Sequence, residues 1–239
     1  MTGLHYYGLM KFSPRFAAGL VALLLSLHAP LAPAQAKDDD DDEADKGPPV
    51  PTALDANLFY QLLLGEINAR ESDSSAAYAL MLDAARKTND QALYQRAVEI
   101  AYQARSGEAA LQAARAWKLA FPESREANRY VLQLLVALNR IADSAEPLRR
   151  DVVLAGAKDR NAVLSMIPRL YSRVTDKKMA ANMVEHALTS YLASPATGAS
   201  AWSAVGRLRL AAGDAQGALE AARRGQAVNP LGDVFCVKR

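Results

Sequence analysis

With 239 residues, 28 basic and 26 acidic, the chain is almost neutral at +2, and that balance excludes the strongly basic surface a nucleic-acid binder needs. One cysteine, Cys236, excludes an intrachain disulfide, and because two of the three histidines fall in the segment assigned below to export, a metal site built on His and Cys is not expected. Aromatic residues make up only 7% of a chain that is 51% hydrophobic and rich in alanine, which favours packed helices over a sheet.

Residues 10–36 read MKFSPRFAAGLVALLLSLHAPLAPAQA. Lys11 and Arg15 precede an apolar run from Phe16 to Leu27, and Ala34-Gln35-Ala36 puts small residues at both cleavage positions. This order predicts a secretory signal peptide over residues 1–36, cut after Ala36, with Met10 as the true start. The apolar run is too short to span a membrane, so no stable insertion is expected after cleavage. No cysteine stands at the cut, so lipid attachment is not expected. His5 and His28 belong to this segment, which leaves His186 as the histidine of the exported chain.

Residues 37–56, KDDDDDEADKGPPVPTALDA, open with five consecutive aspartates and continue with three prolines. Such a stretch repels itself and buries nothing, which predicts a disordered acidic linker. A calcium site would need a shaped loop with carbonyl ligands, and none is expected here.

From Asn57 the pattern turns helical and repeats. The first unit starts near Leu58, with Leu64-Gly65 in its first helix, Ala77, Met81 and Ala84 in its second, and Ser72-Asp73 at the turn. The second starts near Gln91. Ala97, Val98 and Ala101 line its first helix, and Ala110, Ala114 and Trp117 line its second, across a tight Arg105-Ser106-Gly107 turn. The third starts near Arg125, where Val131, Leu132, Leu135 and Leu138 form a stripe at helical period and Pro147 sits early in the second helix. The fourth, from about residue 160, is degenerate: Asn161 to Val174, kinked by Pro168, pairs with Lys177 to Tyr191.

The fifth unit, Ala199 to Pro230, is the clearest. Counted from Ala199, Trp202 falls at position 4, Gly206 at 8, Gly213 at 15, Ala218 at 20, Gly225 at 27 and Pro230 at 32. That is the spacing of a tetratricopeptide repeat, a helix–turn–helix of about 34 residues. Gly206 is read as the point of close helix approach, Gly213-Asp214 as the turn, and Ala218, Ala222 and Gly225 as the small face of the second helix. The expected fold is all-α, a right-handed α-solenoid of about five such hairpins over residues 57–230. Residues 231–239 form a tail that supplies no polar capping helix, so a truncated reading frame is expected.

Asn57 to Ile67 (NLFYQLLLGEI), Ala85 to Ile100 (ARKTNDQALYQRAVEI) and Ala110 to Pro122 (ALQAARAWKLAFP) resemble one family. It is that of exported proteobacterial tetratricopeptide-repeat proteins, some of which act as adaptors for a periplasmic carboxyl-terminal processing protease. The resemblance implies a periplasmic solenoid that wraps a protein partner, with the protease and its substrates as candidates. Adaptor members can carry a lipid-bearing cysteine and run much longer, and in both respects this chain departs from them.

No catalytic constellation is legible. His186 stands alone in its helix, and the pairs Glu66/Glu71 and Glu123/Glu126 lack a partner base. No serine sits in a nucleophile elbow, and no glycine-rich loop follows a strand. Trp117 and Trp202 are read as core. Neither cofactor nor metal is expected. Positions 5, 9, 12 and 13 of each first helix avoid the packed positions and are read as lining a protein-binding groove. They include Glu66, Arg70, Gln95, Glu99, Tyr102, Arg129, Gln133 and Arg207. The expected function is a non-catalytic scaffold or adaptor for a protease or an envelope-assembly partner. The alternative is an enzyme or enzyme subunit whose catalytic part lies beyond the C-terminus.

Overall fold

The computed structural model describes residues 56–71 and 73–229. The expected signal peptide, all but the last residue of the acidic linker, Ser72, Pro230 and the tail with Cys236 lie outside the described residues. Everything regular among the described residues is helical. The helices are α1 (Ala56–Arg70), α2 (Ser74–Thr88), α3 (Gln91–Gln103), α4 (Gly107–Ala120), α5 (Arg125–Ala137) and α6 (Ala145–Leu154). They continue with α7 (Gly156–Leu170), α8 (Lys177–Ala187), the short α9 (Thr189–Leu192), α10 (Gly198–Ala211) and α11 (Ala215–Val228). A 3-10 turn, Ala142–Ser144, precedes α6. None of these helices is long and apolar enough to cross a membrane.

Local chemistry starts the helices. Asp73, Asp90, Ser124, Asp176 and Asp214 each accept a hydrogen bond from a backbone N–H of the first turn that follows, at 2.8–3.2 Å. Glycine ends two of them. Gly213, at φ +81°, closes α10, with the Asp214 N–H bonded to the Arg209 carbonyl at 2.9 Å. Gly156, at φ +68°, turns the chain from α6 to α7 without a loop. The first helix of the fourth unit therefore starts before residue 160. Arg105, at φ 58°, makes the tight turn between α3 and α4.

The helices stack as successive pairs, α1 on α2, α2 on α3 and onward to α5, each burying its apolar stripe on the next. Two hydrophobic clusters share α5. Tyr94, Ala97, Val98, Leu111, Trp117, Val131 and Leu135 belong to the first. Leu132, Leu148, Leu164, Tyr171, Val184, Trp202 and Val205 belong to the second. Both tryptophans are buried, and the Trp202 indole N–H donates to the Leu192 carbonyl at 3.1 Å while the Arg224 guanidinium lies over its ring. Asn128, fully buried, donates from Nδ2 to the Pro147 carbonyl at 2.8 Å and ties α5 to α6. At its first-helix end the stack leaves an apolar stripe exposed: Phe59, Tyr60, Leu63 and Ile67 on α1.

Three expectations need correction. The small buried face of α11 is Gly217, Ala221 and Gly225; Ala218 and Ala222 sit one step round the helix and are only half-buried. The fourth unit is not a close hairpin, because α7 and α8 both pack mainly on α10. Its second helix stops at Ala187, where the Thr189 hydroxyl donates to the His186 carbonyl at 2.7 Å and α9 starts a new turn. Gly206 is not the tightest approach. A Cβ there would lie 3.5 Å from the Ala218 carbonyl oxygen and the Ala221 Cβ, an ordinary contact. The tight position is Gly198, where a Cβ would stand 2.6 Å from Val228 Cγ1 and 2.8 Å from the Leu192 carbonyl oxygen.

Candidate protein-binding surface

First helices of successive units carry the residues read as a groove, and three of these residues form one connected network. Arg96 on α3 reaches back to Glu66 on α1 with a bidentate pair, Nε to Oε1 at 2.6 Å and Nη2 to Oε2 at 2.7 Å. Its Nη1 stands 3.7 Å from Glu99 Oε2. Gln95 donates from Nε2 to Glu99 Oε1 at 3.1 Å and to the Tyr130 hydroxyl on α5 at 3.3 Å. Tyr130 in turn packs on Trp117, with ring centroids 5.5 Å apart. Glu66, Gln95 and Glu99 are therefore half-buried and already engaged. The fork of Arg96 matches the carboxylate of Glu66, and that hydrogen bond, ahead of opposing burial, holds Arg96 above its usual pKa. Burial first, and then the charges of Glu99 and Glu126, push the Tyr130 phenol up.

The remaining groove residues are free. Arg70 in the last turn of α1, Tyr102 in the last turn of α3 and Arg129 on α5 are exposed, and Gln133 on α5 is half-buried. None makes a side-chain hydrogen bond or ion pair within the described residues. Arg207 is exposed too, but it stands apart from this network and lines a cleft between α7, α8 and α10. The sequence reading missed Arg96 and Tyr130, which hold the network together. Each sits at position 6 of its unit, facing position 9 or 5 of the unit before, and that offset between neighbouring repeats was the available signal.

Lateral ion pairs recur down the stack. Arg125 Nε meets Asp151 Oδ1 at 3.0 Å, Lys118 meets Glu146 at 2.6 Å, and Arg209 pairs with Glu185. Glu123 pairs with Arg150 at 2.5 Å, so two of the four glutamates considered for acid–base work serve as ion-pair partners. His186 is exposed on α8. Among the described residues no group of three or more His, Cys, Asp or Glu is gathered as metal ligands would be.

No family model matches the sequence. No curated protein matches it either. Solved structures with a similar course of helices include a MamA protein, with TM-score 0.42 and 10% identity over 76% of this chain and 97% of that one. PilW, a type IV pilus biogenesis factor, matches with TM-score 0.38 and 16% identity over 75% of this chain and 80% of its own. A putative kinesin light chain from Podospora anserina with TPR-like repeats has TM-score 0.39 and 14% identity over 72% and 94%. At such identities the likeness is one of helical arrangement alone. The fold is all-α, an α-solenoid of TPR-like helical hairpins.

Proposed function

We propose that this protein is an exported, non-catalytic scaffold that works in the periplasm and binds other proteins across its first helices. The kind of partner is a carboxyl-terminal processing protease with its substrates, or an envelope-assembly factor. One observation carries the reading. The Glu66–Arg96–Glu99–Gln95–Tyr130 network fixes α1, α3 and α5 side by side, while long polar side chains beside it, Arg70, Tyr102, Arg129 and Gln133, remain free. A rigid frame with free donors suits an extended peptide or a partner helix, because the frame is ordered before binding and only the free side chains lose mobility. The basic, apolar and A-x-A order of residues 10–36 and the family resemblance of residues 57–125 support export and the class of partner.

Because Glu99 is tied into the network, the discriminating variant replaces Arg70, Tyr102, Arg129 and Gln133 with alanine and leaves the frame intact. Tagged wild type and variant are recovered from the periplasmic fraction with whatever they hold. Intact mass should place the N-terminus at Lys37, and the wild type should retain partners that the variant loses. Equal retention by both overturns the surface assignment. Full-length protein confined to the cytoplasm overturns the location.

A further inference from the structure

The open fourth unit leaves a cleft of about 110 Å³ between the end of α7, the start of α8 and the second half of α10. Pro168, Ala180, Leu208 and Ala211 give it an apolar lining, and Lys177 and Arg207 stand at its edge. No acidic residue lines it. Both cations are exposed, and neither makes an ion pair or side-chain hydrogen bond within the described residues. Two residues along the same helix, Arg209 is paired with Glu185, whereas Arg207 has no counter-ion within the described residues. The neighbouring acid, Asp176, has its carboxylate on the Met179 N–H as a helix cap. Arg173 and Lys178 add to the positive charge around the α7–α8 turn.

Size and charge together narrow the ligand. Sites that enclose a whole small molecule run to roughly 300–1,000 Å³. A cleft of about 110 Å³ takes one aliphatic side chain, so the rest of any larger ligand must lie outside it. The part that enters has to be apolar and to carry an anion beside it. The last residue of a polypeptide has that combination: a side chain for the apolar lining and an α-carboxylate for two unpaired cations. We propose that this cleft binds the carboxyl-terminal residue of a polypeptide, with Lys177 and Arg207 as the carboxylate contacts. The proposal rests on the reading of the protein as a protein-binding scaffold, and it uses a surface separate from that of α1, α3 and α5.

The test is fluorescence anisotropy of the full chain with labelled glycine–serine octapeptides ending in alanine, valine, leucine or phenylalanine. Each peptide is supplied as the free acid and as the carboxamide. At least one small aliphatic free acid should bind, its amide about tenfold more weakly or worse, and salt should weaken the free acid. Arg207→Gln and Ala211→Glu should each cost about tenfold, and both residues are exposed, so folding should be unaffected, as circular dichroism would check. No binding of any free acid at millimolar concentration overturns the proposal. So does equal binding of acid and amide, or equal binding by the variants. N-acetylvaline competing as well as the peptide would make this a small-acid site and would overturn the polypeptide assignment. The four-alanine variant of α1, α3 and α5 should bind the peptides normally. Loss of peptide binding there together with retained partners would reverse the two assignments, and failure of the peptides alone leaves the scaffold reading to its own test.

Discussion

The same substitution at two glycines of α10 should have opposite effects. Gly206 lies mid-helix, half-buried, with room for a Cβ at 3.5 Å from its nearest neighbours. Alanine there gains helix propensity without a clash, and Gly206→Ala should stabilise by about 0.5–1 kcal/mol. Gly198 opens the same helix against Val228 and the Leu192 carbonyl. A Cβ at 2.6 Å from Val228 Cγ1 and 2.8 Å from the Leu192 oxygen is too close to both, so both contacts must open. Val228 is a side chain and can give. The Leu192 oxygen is backbone and also accepts the Trp202 indole N–H, so shifting it loosens a buried hydrogen bond. Propensity offsets little at the first residue of a helix, so Gly198→Ala should cost about 1–3 kcal/mol. Gly206→Leu adds a third case: its branch must enter the space held by Ala218 and Ala221, and it should cost about 1–3 kcal/mol, less about 1 kcal/mol of propensity. Urea unfolding followed by circular dichroism gives the midpoints. In a chain of this size each kcal/mol is worth about 2–4 °C in a parallel thermal scan. A destabilised Gly206→Ala, or a neutral Gly198→Ala, would refute the packing of α10 on α11 and α9 described above.

Two further predictions concern buried polar groups. Tyr171, 1% exposed, shares a 2.8 Å hydrogen bond with the Ser144 hydroxyl, and burial, opposed in part by that bond, pushes its phenol up to about 12. The native state therefore holds this proton after the unfolded chain has released it, so the associated stability is complete below about pH 10 and is lost as pH rises towards 12. Unfolding midpoints should fall over that window by an equivalent of roughly 2–3 kcal/mol, and Tyr171→Phe should flatten the fall; an unchanged slope in the variant would show that this phenol is not its source. Asn128→Asp removes the donor to the Pro147 carbonyl and buries a carboxyl, which should cost about 2–3 kcal/mol or more at pH 7. Burial raises that carboxyl's folded pKa, so the deficit should shrink near pH 4 and grow as pH rises, and a pH-independent deficit would contradict the burial of this position.

Much of the helix map was legible because its causes are local. The residues that start helices, Asp73, Asp90, Ser124, Asp176 and Asp214, act on N–H groups two or three positions away. The stripes through Ala97, Ala101, Val131 and Leu135 repeat at the helical period within one element. Trp117 and Trp202 fall at set places in a repeating unit, and both proved buried. Contacts between units were a different matter. Arg96 meets Glu66 across 30 residues, Gln95 meets Tyr130 across 35, and Asn128 meets Pro147 across 19. Each depends on how far one hairpin is rotated against the next, a quantity set by every side chain in the shared interface and by no single stretch. That rotation decided which groove residues are occupied and which are free. It also decided that Gly198, rather than Gly206, carries the close contact, and that α7 and α8 part to leave Arg207 beside a cleft.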